Sequence, residues 1–321
     1  MPIVTVAGSF NVDHVWRCEQ LPAPGATIAG RYDTGPGGKG FNQAIAGARA
    51  GAQVRFMCAL GDDAGGALAR ALAQTDGVRL IVQASDEPTG TAGIYVDAMG
   101  RNSIVIGAGA NADLSADFIT AQSGALAESR VLLVQLETPA DTVLGALRLA
   151  RERGVITVLN PAPANAGTTA ELLDQADILT PNETEFAALL ARHVGERLEP
   201  DDVAALDGVR LHAFCRDVHP KGTVTITLGA TGVFVSHAED QLRGDGKPFY
   251  RHPAETVNAV DTTGAGDAFN GALAAALARE PDAPFAEHVR FANRYAALST
   301  ERAGAALAMP ARADVLARFP D

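Results

Sequence analysis

The chain has 321 residues, a net charge of −12 at pH 7, and 47% hydrophobic but only 5% aromatic residues. This length is enough for one large α/β domain with a smaller appendage, whereas the negative charge argues against a nucleic-acid-binding protein. No apolar stretch approaches membrane-spanning length, and Cys18, Cys58 and Cys215 lack paired spacing, so we expect a cytoplasmic protein with reduced thiols and no membrane partner.

Along the chain, short apolar runs alternate with stretches of helical periodicity. Strands are predicted over residues 3–6, 54–60, 131–136, 155–159, 178–179 and 224–228, and helices over 42–50, 64–73, 142–151, 184–191 and 268–278. Short apolar strands separated by helices are typical of a mostly parallel sheet that is covered on both faces. The predicted fold class is therefore α/β, with ligands at the carboxyl ends of the strands, where the helices begin.

Two segments interrupt this alternation. Residues 12–37 are rich in Pro and Gly, and residues 91–106 read as two strands, 92–96 and 103–106, joined by a turn that contains Gly100. Because neither segment would pack as a layer of the main sheet, we predict a small separate β-layer, with residues 1–11, 38–90 and 107–321 forming the large domain. This layer is either a lid that excludes water from a reaction or a hairpin without a function of its own.

A candidate anion site lies at the start of the helix predicted over residues 268–278. Gly264, Ala265 and Gly266 lead into this helix, so backbone N–H groups at its positive end have little side-chain bulk around them. The carboxylate of Asp267 lies at the same place. Such a pair can stabilise a transferring phosphoryl group and accept a proton from the attacking hydroxyl, although a glycine-rich loop with an Asp cap is the simpler interpretation.

A second glycine-rich turn, residues 35–42, satisfies the G-x-G-x-x-G pattern of dinucleotide-binding proteins. It does not directly follow the first predicted strand, and Pro36 stiffens the turn, which argues against that interpretation. It is not a P-loop either, because Lys39 is followed by Gly40 rather than Ser or Thr. We interpret it as a turn whose backbone, together with Lys39 and Asn42, contacts sugar hydroxyls or phosphate.

Polar residues follow several of the predicted strands. Asn11 and Asp13 would point to the same side of an extended segment, where an amide and a carboxylate can hold a polyol. A polar strand end is the alternative. Glu137 follows the strand predicted over residues 131–136 and lies at the expected ligand edge.

Two further turns leave their interpretation open. Residues 181–185 start a helix, and Asn182 and Glu185 either cap it or organise the water shell of Mg²⁺. Residues 227–232 end a strand in a glycine-containing turn, which suits a nucleotide site and a plain hairpin equally well.

Taken together, these motifs resemble the ribokinase-like (pfkB-type) family of carbohydrate kinases. The resemblance runs in order along essentially the whole chain, through residues 8–13, 37–44, 61–63, 109–111, 135–137, 159–164, 181–185, 227–229 and 261–271. It implies a three-layer α/β/α domain with a small β-sheet lid, and a homodimer that forms through the lids. It also implies ATP-dependent phosphorylation of a sugar, with phosphorylation of D-ribose at O5 as the expected reaction.

The resemblance assigns a role to each matching residue. Asp267 resembles the general base, and the backbone of Gly264, Ala265 and Gly266 resembles the anion hole. The sugar-binding positions are Asn11, Asp13, Gly38, Lys39, Asn42, Glu137 and Asp267. The nucleotide-binding positions are Asn182, Thr227, Leu228, Gly229, Gly232, Gly266 and Asn293.

Two cations are implied by the same resemblance. Mg²⁺ would accompany ATP and be held through water by Asn182 and Glu185, and K⁺ or another monovalent cation would act as an activator. The monovalent site matches Asp261, Thr263, Ser299, Arg302 and Gly304, mostly through backbone oxygens. Ala308 departs from the family pattern, since a serine is common at that position, so one oxygen ligand is missing or replaced by water.

Other functions remain compatible with these residues. Within the family the acceptor could be deoxyribose, another sugar or a nucleoside. Asn11 and Asp13 favour a free polyol, whereas a nucleoside would require apolar or aromatic residues that the lid segments offer sparingly. A non-catalytic sugar-binding regulator would have lost the base or the anion hole, and an NAD-dependent oxidoreductase is suggested only by residues 35–40.

Overall fold

The computed structural model describes residues 2–320, and within them the chain forms thirteen strands. They are β1 (Ile3–Ala7), β2 (Asn11–Arg17), β3 (Arg31–Gly37), β4 (Gln53–Gly61), β5 (Arg79–Ser85), β6 (Thr91–Val96), β7 (Asn102–Gly107), β8 (Val131–Val134), β9 (Ile156–Leu159), β10 (Ile178–Leu179), β11 (Thr223–Thr227), β12 (Val233–Ser236) and β13 (Phe249–His252). Nine of them build one sheet in the order β13-β12-β11-β10-β9-β8-β1-β4-β5, and four build a second sheet in the order β3-β2-β6-β7.

Twelve α-helices lie within the same described range. They are α1 (Lys39–Arg49), α2 (Ala64–Thr75), α3 (Ala116–Ala121), α4 (Ser123–Ala127), α5 (Ala140–Glu152), α6 (Ala170–Asp174), α7 (Glu183–His193), α8 (Pro200–Val203), α9 (Gly208–Val218), α10 (Ala265–Arg279), α11 (Phe285–Ser299) and α12 (Arg312–Arg318). None of the helices in residues 2–320 combines the length and apolar character that crossing a membrane requires.

The large sheet is buried on both faces, and β8 shows why. Val131 and Leu133 join one apolar core, while Leu132 and Val134 join a second core on the opposite face. Successive side chains of a strand point to opposite faces, so a strand that is apolar throughout needs helices on both sides. Helices α1, α10 and α11 cover the first face, and α5, α7 and α9 cover the second. The predicted α/β class is confirmed.

Neighbouring strands of the large sheet are parallel except for the pairs β11–β12 and β12–β13, so β12 runs opposite to the other eight strands. The sequence does not predict the edge strands β5 and β13, since both are only partly buried and polar residues interrupt their apolar runs. The strand predicted over residues 131–136 ends at Val134 instead. The N–H of Leu136 donates to the carbonyl oxygen of Ala162 at 2.9 Å, which takes the chain out of the strand before Glu137.

The second sheet is built from two excursions of the chain. Strands β2 and β3 form an antiparallel pair, β2 pairs in parallel with β6, and β6 pairs antiparallel with β7. Asn111 joins both excursions at the base of this sheet. Its side chain accepts from the N–H of Phe10 at 3.0 Å and donates to the carbonyl oxygen of Phe10 at 3.0 Å and to Oδ1 of Asn11 at 2.8 Å.

Four rings lie together on the second sheet. Trp16 stacks on Tyr95 with ring centroids 5.3 Å apart, lies 5.3 Å from Tyr32, and stacks on His14 at 6.2 Å. The hydroxyl of Tyr32 lies 2.7 Å from Nδ1 of His14. Because such ring pairs add to the free energy of packing, this aromatic cluster stiffens a sheet that has little apolar core of its own.

Helix α10 lies close to α1 because both carry small residues at their crossing. A Cβ on Gly271 would lie 2.4 Å from the carbonyl oxygen of Gln43, so the two backbones are in contact there. A glycine is therefore required at position 271, because any Cβ would overlap the backbone of α1. This crossing brings the N-terminal turns of α1 and α10 together, and with them Gln43 and Asp267.

Candidate active site

A polar cleft of about 150 Å³ opens at the carboxyl ends of β9, β10 and β11, where α7 and α10 begin. This is the edge at which parallel sheets bind ligands. A groove of about 410 Å³ beside α6 and α9 is larger, but it contains none of the sequence motifs. The cleft is lined by Lys39, Asn160, Thr180, Asn182, Glu185, Thr227, Thr262, Gly264, Ala265, Gly266, Asp267 and Asn270.

The start of α10 forms one wall of this cleft. Gly264 precedes the helix with a φ of 75°, and a Cβ there would lie 2.8 Å from the Cβ of Ala305, so only glycine fits. The N–H of Ala265 donates to the carbonyl oxygen of Thr262 at 3.1 Å. Within residues 2–320, the N–H groups of Gly266 and Asp267 have no hydrogen-bond partner. These two free N–H groups at a helix N-terminus can bind an anion.

Asp267 lies in the first turn of α10 and is buried, with 7% of its surface exposed. Its carboxylate accepts hydrogen bonds from two neighbouring side-chain amides of α1. Nδ2 of Asn42 donates to Oδ2 at 2.9 Å, and Nε2 of Gln43 donates to Oδ1 at 2.9 Å. Burial raises the pKa of Asp267, and the charge of Lys39 and the two amide hydrogen bonds oppose that shift. A carboxylate with a raised pKa suits a general base.

The predicted sugar-binding residues surround Asp267 on the side of α1. Ser9 donates to Oε2 of Glu137 at 2.6 Å, and the backbone N–H of Lys39 donates to the same oxygen at 3.0 Å. Gly38 has a φ of 87°, and a Cβ there would lie 2.8 Å from the backbone nitrogen of Asn11. The turn before α1 therefore packs directly against the segment that leads into β2.

Asp13 completes this group from the second sheet. A Cβ on Gly37 would lie 2.2 Å from either carboxylate oxygen of Asp13, so this side chain covers the glycine turn. Burial and the charges of Glu137 and Asp267 raise the pKa of Asp13 to about 7. Burial lowers the pKa of Lys39, but the carboxylates of Asp267, Glu137 and Glu185 outweigh it, and this pKa lies above its usual value.

Most of the predicted nucleotide-binding residues lie at the ends of β10 and β11 and in the following turn, while Gly266 is on α10 and Asn293 is on α11. Thr227 forms a parallel bridge with Asn182, and Leu228 is buried behind it. Gly232 has a φ of 100°, and a Cβ there would lie 2.0 Å from the carbonyl oxygen of His252. Nδ2 of Asn293 donates to the carbonyl oxygen of Pro253 at 2.8 Å. Gly232 and Asn293 thus both contact the segment at His252 and Pro253, while Gly229 is in the 3₁₀ turn Gly229–Thr231.

Asn182 and Glu185 form a capping box at the start of α7. Oδ1 of Asn182 accepts from the N–H of Glu185, and Oε2 of Glu185 accepts from the N–H of Asn182, both at 2.9 Å. These two reciprocal hydrogen bonds show that Asn182 and Glu185 cap α7. Both side chains also line the cleft, and burial raises the pKa of Glu185 despite the nearby Lys39.

The residues predicted for the monovalent cation lie beside the start of α10. The carboxylate of Asp261 accepts from the N–H groups of Thr263 and Gly304, each at 2.9 Å. Burial raises the pKa of Asp261, but these hydrogen bonds outweigh it, and this pKa lies below its usual value. Ser299 is buried with its hydroxyl donated to Ala296, Arg302 is exposed, and Ala308 is buried in the 3₁₀ turn Ala306–Ala308.

A chain of buried polar side chains behind Asp267 has no role assigned by any local motif. Gln43 and Asp267 are 224 residues apart in sequence, so their contact exists only in the fold. Further hydrogen bonds extend this network on both sides of Gln43. Gln135 donates to Gln43, and Gln43 donates to Asn160. Asn160 donates to the carbonyl oxygen of Thr180, the Thr180 hydroxyl donates to Asn270, and Asn270 donates to the carbonyl oxygen of Gly266.

Similarity to known proteins extends over nearly the whole chain. A model of the pfkB family of carbohydrate kinases matches residues 1–312. The ribokinase of Haemophilus influenzae is 40% identical over 98% of this chain and 97% of its own length. Among solved structures, ribokinase from Thermotoga maritima matches with a TM-score of 0.84 and 34% identity over 99% of both chains. Ribokinase from Arabidopsis thaliana complexed with ribose and ATP matches with a TM-score of 0.84 and 31% identity over 98% of both chains.

Proposed function

The chain belongs to the pfkB family of carbohydrate kinases, and we propose that it transfers the terminal phosphoryl group of ATP to O5 of D-ribose. It is an ATP-dependent sugar kinase, and its similarity over nearly full length to ribokinases supports ribose as the acceptor. The observation that carries the proposal is the position of the Asp267 carboxylate beside the unpartnered N–H groups of Gly266 and Asp267. A base and an anion site are adjacent there, as phosphoryl transfer requires.

In the proposed reaction, the O5 hydroxyl gives its proton to a carboxylate oxygen of Asp267. O5 forms a bond to the γ-phosphorus while the bond from that phosphorus to the β,γ-bridging oxygen breaks, and ADP leaves. The N–H groups of Gly266 and Asp267, with those of Gly264 and Ala265 near them, would stabilise the charge on the phosphoryl oxygens. The N–H of Ala265 would first have to leave the carbonyl oxygen of Thr262.

Sugar binding is assigned to Asn11, Asp13, Gly38, Lys39, Asn42 and Glu137. Oδ1 of Asn42 is buried without a hydrogen-bond partner among the described residues, so it offers an acceptor to a sugar hydroxyl. Asp13 and Glu137 provide carboxylate acceptors beside it, and Lys39 provides a donor. A free polyol satisfies such a set better than a nucleoside base does. The nucleotide is assigned to Asn182, Thr227, Leu228, Gly229, Gly232, Gly266 and Asn293.

The proposal includes Mg²⁺ and a monovalent cation. The capping box of α7 uses Oε2 of Glu185 and leaves Oε1 for the water shell of Mg²⁺ at the cleft, with Asn182 beside it. Asp261 already joins the loops at Thr263 and Gly304, so K⁺ could be held there with carbonyl oxygens of Thr263, Ser299 and Arg302. Bound there, the cations would neutralise charge on the phosphates and at the loop before α10.

We also propose a homodimer that forms through the second sheet. Its edge strand β7 is exposed along its whole length, and Ile104, Val105 and Ile106 are 50%, 66% and 51% exposed. An uncovered apolar edge strand is a site for pairing with another chain. Three free thiols support placing the protein in the cytoplasm.

Coupled measurement of ADP release tests the proposed function. The assay contains Mg-ATP and K⁺ and compares ribose, 2-deoxyribose, fructose and adenosine as acceptors. We expect kcat/KM for ribose to exceed the other values by at least about tenfold. A preference for another acceptor would keep the kinase mechanism and reject the assignment of Asn11 and Asp13. Binding of sugar and nucleotide without ADP release would support the non-catalytic regulator instead.

A further inference from the structure

Gln43 lies in the second turn of α1 with none of its surface exposed, and its carboxamide meets the carboxylate of Asp267. Nε2 of Gln43 donates to Oδ1 of Asp267 at 2.9 Å and to Oδ1 of Asn160 at 3.0 Å. A carboxylate only accepts hydrogen bonds, so Gln43 has to turn its NH₂ group toward Asp267. Its own Oε1 then accepts from Nε2 of Gln135, which holds the amide in this orientation.

The position of Gln43 relative to Asp267 is fixed by the backbone. At the crossing of α1 and α10, the carbonyl oxygen of Gln43 lies 2.4 Å from the position that a Cβ on Gly271 would take. Both oxygens of Asp267 are occupied from α1, Oδ1 by Gln43 and Oδ2 by Asn42. Asn42 faces the sugar side with an unpartnered oxygen, whereas Gln43 is fully enclosed and lies behind the carboxylate.

We propose that Gln43 is a positioning residue that fixes the Asp267 carboxylate for proton transfer and stabilises its ionised form. The proposal rests on the assignment of Asp267 as the base. A hydrogen bond donated to a carboxylate favours the charged state, and a fixed carboxylate orients its remaining lone pairs toward the acceptor hydroxyl. The other charged groups that face Asp267 are Lys39 from α1, Glu137 after β8, Glu185 from α7 and Asp13 from β2.

Two variants test this role. Gln43→Met removes the donor at similar volume, and Gln43→Glu places a second carboxyl group against Asp267. We expect kcat at saturating ribose and Mg-ATP to fall about tenfold in Gln43→Met, with KM for ribose changed less than about twofold. The acid limb of the pH profile of kcat should move up by about one pH unit in Gln43→Met and further in Gln43→Glu.

The matched control is Gln83→Met. Gln83 lies on the edge strand β5, donates to the carbonyl oxygen of Asp113 at 2.6 Å, and is remote from the cleft. It should keep the wild-type acid limb. If both Gln43 variants keep the wild-type acid limb while their melting temperatures fall, Gln43 is only a packing residue and the proposal is overturned.

A second measurement separates this inference from the proposed function. If the wild-type protein releases no ADP with any acceptor, the proposed function fails, but the contact can still be tested by unfolding. Loss of the donor raises the pKa of Asp267 in the folded state, so Gln43→Met should destabilise more at about pH 8 than at about pH 5. In the Asp267→Asn background this pH dependence should vanish. A destabilisation that is the same at both pH values and in both backgrounds would overturn the proposal.

Discussion

At the scale of single residues, the buried carboxylate of Asp267 is the group on which the proposed chemistry depends. Asp267→Asn keeps the size of the side chain but cannot accept a proton from the acceptor hydroxyl. We expect kcat to fall by about 10²–10⁴, with a small change in KM for ribose, in steady-state assays of ADP release. Asp282→Asn, on an exposed loop, is the matched control. Near-wild-type kcat in Asp267→Asn would reject the assigned mechanism.

Asp13 gives the ligand-free protein a pH-dependent stability. Its pKa rises from 3.8 in the unfolded chain to about 7 in the folded protein. The unfolded chain therefore loses this proton first as pH rises, and the contribution to stability, full below about pH 4, is lost as pH approaches 7. Between about pH 5 and pH 7, the free energy of unfolding of the wild type should fall by about 1–2 kcal/mol more than that of Asp13→Asn.

Chemical denaturation at several pH values measures this difference. Asp33→Asn, an exposed carboxylate on β3 of the same sheet, is the control and should keep the wild-type pH dependence. If the free energy of unfolding changes with pH equally in the wild type and in Asp13→Asn, the proposed pKa shift of Asp13 is absent. Its place over the glycine turn at Gly37 would then need a different account.

At the scale of elements, the predicted bounds agree with the structure to within three residues, and the largest differences lie at helix starts. The capping box of Asn182 and Glu185 can be read from residues three apart, and the predicted start of α7 is one residue from the observed one, whereas α10 starts at Ala265, three residues before the predicted start at 268. The end of β8 depends on the hydrogen bond from Leu136 to Ala162, which no local pattern contains. No local pattern contains the contact of Gln43 either, because its partner Asp267 lies on another helix.

The exposed edge of the second sheet leads to a prediction about assembly. Val105→Glu together with Ile104→Glu would place two charges on β7, where a second copy is proposed to pair. We expect light scattering after size-exclusion chromatography to show a dimer for the wild type at micromolar concentration and a monomer for the double variant.

The control for this experiment is Leu316→Glu, which changes another exposed apolar residue, on α12. It should leave the dimer intact. A wild-type protein that is monomeric at all micromolar concentrations would reject the homodimer, and a dimer that survives both changes on β7 would place the interface elsewhere.

At the scale of the whole molecule, the candidate site joins the two sheets. Asp13 comes from the small sheet, while the proposed base Asp267 lies on α10 and the proposed nucleotide residues Asn182 and Thr227 lie at the end of the large sheet. Ribose at about 100 times its Kd should therefore stabilise the wild type by about 2.7 kcal/mol. Asp13→Asn should lose most of this gain in a thermal unfolding assay but keep the stabilisation by Mg-ATP. Equal loss of both would show that the variant disturbs the whole fold.

The overall architecture follows from alternating apolar strands and helices, but the connections inside the site do not. Asn111 lies in a short motif without an evident role, and in the fold it ties Phe10 and Asn11 to the end of the second excursion. Polar side chains that act through tertiary contacts leave no periodic signal in a single sequence. Their partners become known only when the strands are placed side by side.

The aromatic cluster of the second sheet makes this protein a convenient subject for spectroscopy. Trp16 is the only tryptophan in the 321 residues, and on the small sheet it stacks on Tyr95 and lies tilted against Tyr32. Selective excitation of tryptophan therefore yields emission from one place, without labelling. Its wavelength and quenching would report on the surroundings of the small sheet as sugar binds. Far-ultraviolet circular dichroism at about 222 nm reports mainly on the helices that pack on the large sheet, so one sample gives a signal for each part.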